Sequence, residues 1–399
     1  MEHNWAGNIT YRAREVVRPR SVDALRQLVA DRDRVRALGS RHSFNDLADG
    51  PGTLVSLEEL PDEIVVTGQQ VSVPAGVRYG VLASFLQERG LALPNMASLP
   101  HISVAGAIAT GTHGSGDGNG CLSTAVAGLE LVTSSGGLRT LWRGDPEFAG
   151  SVVALGALGV VTRVTLDVRP TFEVRQQVYP SVPWSTVAGE LATVFASGYS
   201  VSVFTDWVGD AQVWVKSLAP VELPYTPAEG PVHMLPGESV AAVTEQGGVP
   251  GPWLDRLPHF RLGHKPSAGA ELQSEYLLPR ESAPEALTRL REMGPRIAPL
   301  LQITELRTVA ADGLWLSPAG GRDVLGVHFT WKLDVPGVLG LLPSIEAVLL
   351  PLGARPHWGK LFHTTEVGAL YPRWADFLEL RAHHDPAGKF ANSFLDRLM

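Results

Sequence analysis

Cysteine is nearly absent. Cys121 is the only one in 399 residues, which excludes an intrachain disulfide and is compatible with a reducing compartment. A leader pattern is missing too. The opening MEHNWAGNIT has neither a basic cluster nor an apolar run, so no secretory signal is expected and the cytoplasm is the expected location. The longest apolar stretch is expected around VVALGALGVV and falls well short of the roughly 20 residues of a spanning helix, so no membrane partner is expected. Positive charge is in deficit. With 33 Lys and Arg against 41 Asp and Glu, the net of −8 offers little to nucleic acid or to an anionic bilayer. No period of 20 to 50 residues recurs, which argues against a solenoid. What is present is apolar mass. At 44% hydrophobic and 19% charged, the chain can bury large cores, and its length points to two domains.

The first third alternates strands with helices, which suggests α+β or α/β packing. SVDALRQLVADRD predicts a helix capped by Ser21, with Val22, Leu25, Leu28 and Val29 on one face. VRAL and VSVPAGV read as strands, and YGVLASFLQERG as a helix stopped by Gly90. From about residue 171 the period changes to two. TFEVRQQVY is one strand, and VSVFTDW and AQVWVK form a hairpin around VGD. A boundary is therefore expected near residue 170. Residues 218–253 hold seven prolines and suit a surface excursion. APEALTRLREMG reads as a helix with Pro284 at its start and Gly294 past its end. PRWADFLELRAHH reads as another, burying Trp374, Phe377 and Leu378 before Asp385-Pro386 ends it.

Two segments suit an anion. ALGSRHSFN (37–45) sets Gly39, Ser40, Arg41, His42 and Ser43 on a tight turn after a strand; an ordinary polar loop would read the same way. LPHISVAGAIATGTHGSGDGNG (99–120) is filled with small and hydroxyl residues, which let backbone N–H groups approach a pyrophosphate closely. A flexible glycine loop is the plainer alternative. Neither a G-x-x-x-x-G-K-[ST] loop nor a strand–GxGxxG–helix unit occurs, so a Rossmann-type site is not expected.

Together these segments resemble the vanillyl-alcohol-oxidase-type flavoproteins, whose FAD-binding fold is also called PCMH-type. The resemblance runs from NWAGN (4–8) through GSRHSF, SVAGAIATGTHGSG, LGALGVVTRVTL (155–166) and DPAGKFANSFL (385–395) in family order, essentially the whole chain. It implies an α+β, two-domain fold: an FAD-binding domain over 1–170, a substrate-binding cap domain built on an antiparallel sheet over 171–365, and a C-terminal segment, 366–399, returning to the FAD domain. It implies FAD as cofactor, joined covalently through His42. The implied FAD contacts are Gly39, Ser40, Arg41, His42, Ser43, Ser98, Ser103, Gly106, Thr110, Gly111, Thr112, His113 and Val161. Within the family the chain looks most like the alditol oxidases, with aldonolactone oxidases next, through TELRTVA (304–310), GVHFTWKLD (326–334) and RPHWGKLF (355–362). That pattern implies a substrate pocket of Ser98, Glu305, Arg307, His328, Thr330 and Lys360.

The residues agree with such chemistry on their own terms. On a strand, i and i+2 face the same way, so Glu305 points with Arg307, and His328 with Thr330 and Lys332. A sheet with one wet face would look alike, but several polar strand faces in one domain supply the donors and acceptors a polyol needs. Alcohol oxidation needs a proton acceptor and stabilisation of developing alkoxide. Lys360, its pKa lowered by burial and by Arg307, is the expected base; a solvated strand lysine is the alternative. Arg307 is expected to stabilise alkoxide, and Glu305 to hold a second hydroxyl or fix Arg307. A covalent histidyl link would make the flavin a stronger oxidant. The expected activity is oxidation of the terminal primary hydroxyl of an alditol to the aldose with O2 reduced to H2O2, by a monomer. Aldonolactone oxidation and a non-enzymatic sugar-binding protein are the alternatives. Ala97, beside Ser98, leaves an oxygen route open. No metal site is expected, since HExxH is absent and His383-His384 are adjacent. No G-x-S-x-G elbow supports a serine hydrolase. Cys121 is expected to be inert.

Overall fold

The computed structural model describes residues 2–61, 63–264 and 270–399. Near the N-terminus, strands Glu15–Val17, Thr53–Ser56 and Val35–Leu38 form a parallel sheet in that spatial order. The intervening helix, Val22–Asp31, begins where Ser21 Oγ accepts from the Ala24 amide at 3.1 Å. It buries Leu25 and Val29 while Val22 and Leu28 are half-buried. A second, antiparallel sheet runs Val65–Thr67, Gln70–Pro74, Val160–Asp167, Val126–Val132, Leu138–Trp142. Helices Tyr79–Gln87 and Val104–Ala109 pack on it, and Gly90, at φ +68°, turns the chain after the first of them.

Residues 173–356 supply an eight-stranded antiparallel sheet. Its spatial order is Gly251–Pro252, Glu173–Val182, Ala211–Ser217, Ser200–Thr205, Leu301–Val309, Val324–Lys332, Glu271–Pro279, Arg355–Pro356. The period-two alternation sorts its faces. Val203, Val213, Leu306, Val327, Phe329 and Trp331 pack under the helices Ala283–Glu292 and Val335–Leu349. Lys216, Glu275, Glu305, Arg307 and His328 share the opposite face. Helices Trp374–His384 and Ser393–Leu398 leave this sheet and pack with Leu47, Val153 and Leu158 of the N-terminal region. Lys389 extends the return, its carbonyl accepting from the Val35 amide at 2.9 Å.

Three expectations need correction. Val335–Leu352 is long and apolar enough by composition to cross a membrane, contrary to the reading that no stretch approaches that length. Its buried Val338, Leu341, Leu342, Ile345 and Leu349 belong to the core under the sheet, which explains the apolar composition. As expected, Gly294 lies past the end of Ala283–Glu292, and it opens a separate short helix, Gly294–Ile297. Glycine is needed there for close packing: a Cβ would stand 2.4 Å from the Trp207 carbonyl oxygen. In Trp374–His384 the buried residues are Phe377, Leu380 and His384, while Trp374 and Leu378 are only half-buried. The proline-rich excursion is not merely surface, since Met234 and Val243 are buried against Phe204 and Trp214 on the polar side of the sheet.

Candidate active site

A cavity of about 570 Å³ runs from the N-terminal sheets to the polar face of the large sheet. Its first wall is the turn after Val35–Leu38. Gly39, Ser40, Arg41, His42 and Ser43 all line it. A Cβ on Gly39, and one on Gly106, would each lie 2.7 Å from Ser103 Oγ, so a side chain at either place would have to displace that hydroxyl. The closure is reciprocal: Ser40 N–H donates to Ser103 Oγ at 3.3 Å, and Ser103 N–H to Ser40 Oγ at 3.0 Å. The two anion-suited segments are thereby one structure. Arg41 takes φ +64° and gives its guanidinium to Glu2 at 2.5 Å, so its backbone rather than its charge is offered to the cavity. His42 Nδ1 donates to the Ser40 carbonyl at 2.8 Å, and Trp5 stacks on the ring at 5.4 Å. Burial pushes the imidazole down to about 4, so it is neutral at physiological pH.

Ser103, Gly106, Thr110, Thr112, His113 and Val161 line the same cavity. Gly111 does not. It sits at φ +66° with its Cβ position 2.7 Å from Pro318, so it serves the turn and not the wall. Residues 114–116 also depart from a phosphate loop. Gly116 N–H donates to the Thr308 carbonyl at 2.9 Å, and Ser115 Oγ accepts from the Thr308 amide at 3.3 Å. A Cβ on Gly114 would strike the Met96 carbonyl at 2.3 Å. This half of the glycine-rich stretch joins the large sheet to the rest of the chain, and its small residues permit that approach. The half around Ser103 and Gly106 carries the donor-rich cradle. Its clearance, neutral histidine and hydroxyls fit a flavin dinucleotide.

The far wall brings the sheet-borne candidates together. Glu305, Arg307, His328, Thr330, Lys360 and Ser98 line it; Lys332 does not, being exposed and bonded to the Pro299 carbonyl. Arg307 donates to Glu275 at 2.6 Å and weakly to Ser98 Oγ at 3.4 Å, and its Nε lies 3.7 Å from Glu305. Lys360 donates to Glu275 Oε2 and to His328 Nδ1, each at 2.5 Å. His328 Nδ1 thus accepts, and its Nε2–H donates to Thr330 at 3.1 Å. Burial pushes the Lys360 ammonium down, with Glu275 pulling it back and Arg307 pressing it lower, to about 8. Burial and then the Lys360 charge bring His328 to about 4. Among the described residues, no three His, Cys, Asp or Glu are grouped to hold a metal ion.

Sequence reasoning missed the residue at the centre. Glu275, 1% exposed, contacts Arg307 and Lys360, with His113 at 3.2 Å and His328 at 3.5 Å. Burial alone would raise its pKa, but the Arg307 and Lys360 cations outweigh it and hold the carboxyl well below the usual range. The signal was available, because Glu271, Gln273 and Glu275 alternate with Leu272 and Tyr276. His259 was also missed. It hydrogen-bonds Glu305 at 2.7 Å from an irregular segment with no periodic signal.

Distant segments are fastened around this site. Phe44 N–H donates to the Gly359 carbonyl, and Asn45 Nδ2 to the carbonyls of Trp358 and Lys360, each at 2.8 Å. Asn4 and Asn8 bond the carbonyls of Ser43 and Phe44 at 2.9 and 2.8 Å. The His42 turn and the Lys360 segment are therefore held in a fixed relation.

Comparison with known proteins adds to this geometry. Residues 13–141 match the FAD binding domain family, and residues 270–398 the D-arabinono-1,4-lactone oxidase family. The chain is 50% identical to an alditol oxidase of Streptomyces sp., across 99% of this chain and 98% of that one. It is 29% identical to an L-gulono-1,4-lactone dehydrogenase of Mycobacterium tuberculosis over the same shares. Among solved structures, a solvent-stable cholesterol oxidase superposes with a TM-score of 0.80 at 18% identity, covering 99% of this chain and 96% of that one. That likeness concerns the fold, which is the two-domain, α+β, PCMH-type fold.

Proposed function

The chain belongs to the alditol oxidase family of FAD-dependent oxidoreductases, and from that premise we propose that it oxidises the terminal primary hydroxyl of xylitol- or sorbitol-type alditols to the aldose, with O2 reduced to H2O2. The observation that carries this reading is the Glu275–Lys360–Arg307–Glu305 array on the same cavity as the Ser40–Ser103 cradle. The cradle and the His42 turn would hold FAD, which when bound supplies the hydride acceptor and the electron path to O2.

The chain's own residues do the rest. Lys360 Nζ, with a pKa of about 8, takes the proton of the reacting hydroxyl in its neutral form. Arg307, kept charged between two carboxylates, stabilises the oxygen as negative charge develops. Glu305, Thr330 and Ser98 bond the remaining hydroxyls, and the surrounding sheet and the 232–260 segment exclude water. His42, neutral and half-buried, is the proposed covalent tether. Acid-precipitated protein is expected to stay yellow, and His42→Ala to release its colour into the supernatant. Colour released from the unaltered protein would remove the tether.

A second reading, aldonolactone oxidation, draws on the match over residues 270–398. Peroxide release across a panel of alditols and aldonolactones decides between them. Xylitol or sorbitol is expected to give the higher kcat/KM, and a lactone preference would reverse the assignment. A cytoplasmic monomer without nucleic-acid or membrane partners belongs to the same proposal, supported by the lone cysteine and the net charge of −8.

A further inference from the structure

The large sheet carries a buried lysine that the chemistry above leaves unused. Lys216, on Ala211–Ser217, is 1% exposed. Its ammonium is bonded to the Leu257 carbonyl and, at 2.9 Å, to Nδ1 of His259, not to a carboxylate. A ring nitrogen that accepts from an ammonium carries no proton, so the His259 proton sits on Nε2 and is donated to Glu305 Oε1 at 2.7 Å. The backbone fixes the imidazole on both sides. His259 N–H donates to the Ser98 carbonyl at 3.0 Å, and the His259 carbonyl accepts from Thr244 N–H at 2.9 Å. Trp214 and Phe204 close on it edge-on at 5.3 and 5.6 Å. Burial, and then the neighbouring lysine charge, push His259 down to about 4, so the ring stays neutral.

The second oxygen of Glu305 is placed differently. Oε2 stands 3.7 Å from Arg307 Nε, beyond hydrogen-bond reach, because Arg307 gives its short bond to Glu275. Burial would raise the carboxyl, but Arg307 and His259 hold it down and ionised. Glu305 thus meets the cavity as an acceptor with one oxygen tied back and one open.

Resting on the reading of this cavity as an alditol site, we propose that Lys216 and His259 are positioning residues that reserve Glu305 Oε2 for a substrate hydroxyl other than the one being oxidised, and so favour a chain of hydroxyls over a substrate with only acceptor oxygen at that place. An ionised carboxylate rewards a donor and rejects an ether or carbonyl oxygen. The opposite imidazole tautomer would turn a lone pair onto the ionised Glu305 and set an N–H against a charged Lys216, so both neighbours disfavour it.

The test uses the flavin-loaded full chain. His259→Leu is expected to raise KM for xylitol about tenfold or more, the worth of a hydrogen bond to a charged group, with kcat changed far less and flavin absorbance retained. His259→Gln, whose amide can donate to Glu305 and accept from Lys216, is expected to return KM to within about threefold of the unaltered protein. An unchanged KM in the leucine variant, or a glutamine variant as poor as leucine, overturns the proposal. Should His259→Leu fail to fold, 15N NMR of histidine-labelled unaltered protein stands in. A neutral ring protonated on Nε2 is expected, and a proton on Nδ1 overturns the proposal. Absence of xylitol oxidation by the unaltered protein would instead sink the alditol reading, while the tautomer measurement still reports on the Lys216–His259 pair.

Discussion

Two lysine–histidine pairs sit on the same face of one sheet, and they differ in what surrounds the lysine. In each, the ammonium donates to imidazole Nδ1: Lys360 to His328 at 2.5 Å, Lys216 to His259 at 2.9 Å. Each imidazole passes a proton donor onward, to Thr330 in one case and Glu305 in the other. Both lysines are lowered by burial, to about 8 and about 7. Lys360, however, lines the cavity and is paired with Glu275, whereas Lys216 is bonded to a backbone carbonyl behind His259. Like residues in like bonds are thus assigned different work by access. On the proposed mechanism, the lysine that can touch substrate moves a proton, and the one that cannot orients a carboxylate.

The largest effect that would break this comparison is at Lys360. Lys360→Met is expected to slow flavin reduction by alditol between about a hundredfold and ten-thousandfold, the range for loss of a general base, with bound flavin unchanged. Lys216→Met is expected to act mainly on KM. Single-turnover kinetics separate the two, and equal losses in the reduction step would erase the distinction.

Glu275→Gln comes next. It leaves the buried Arg307 and the half-buried Lys360 without their shared anion, a loss of about 3–5 kcal/mol that chemical denaturation would register. The same change has a signed effect on pH dependence. In the unaltered protein kcat/KM is expected to rise with pH as Lys360 loses its proton, with a midpoint near 8. The Glu275 charge holds that proton on, so its removal should move the midpoint down. A midpoint that stays or rises would take Lys360 out of the role of base.

Much of this was legible in the sequence because it obeys a period. Glu305 with Arg307 and His328 with Thr330 follow from alternation on strands, as do the apolar partners Val327, Phe329 and Trp331 packed behind them. The cradle was legible because glycines and hydroxyls cluster in two short segments, yet their clustering did not separate Gly106, beside Ser103, from Gly114 and Gly116, which permit a backbone crossing. His259 and Lys216 were invisible for different reasons. The first lies on irregular chain with no period, and the second reads as an ordinary strand-end lysine until Leu257 and His259 are seen to cover it. Glu275 had a periodic signal but no neighbour in sequence to suggest that three basic side chains and a second histidine converge on it.

The smallest expected effect sharpens the comparison from its other end. His328 hands its Nε2 proton to a neutral hydroxyl, and His259 hands its own to a carboxylate. A bond between neutral groups is worth about 0.5–1.5 kcal/mol, and one to a charged group about 1.5–3 kcal/mol. Thr330→Val, which keeps the shape and removes the acceptor, should therefore lower kcat/KM for xylitol only about twofold to tenfold, less than His259→Leu. The pH midpoint should stay where Lys360 sets it, because threonine adds no charge to the lysine's surroundings. A shift of a full pH unit in the Thr330→Val profile would mean that the hydroxyl governs the lysine through His328. The two pairs would then differ in degree and not in kind.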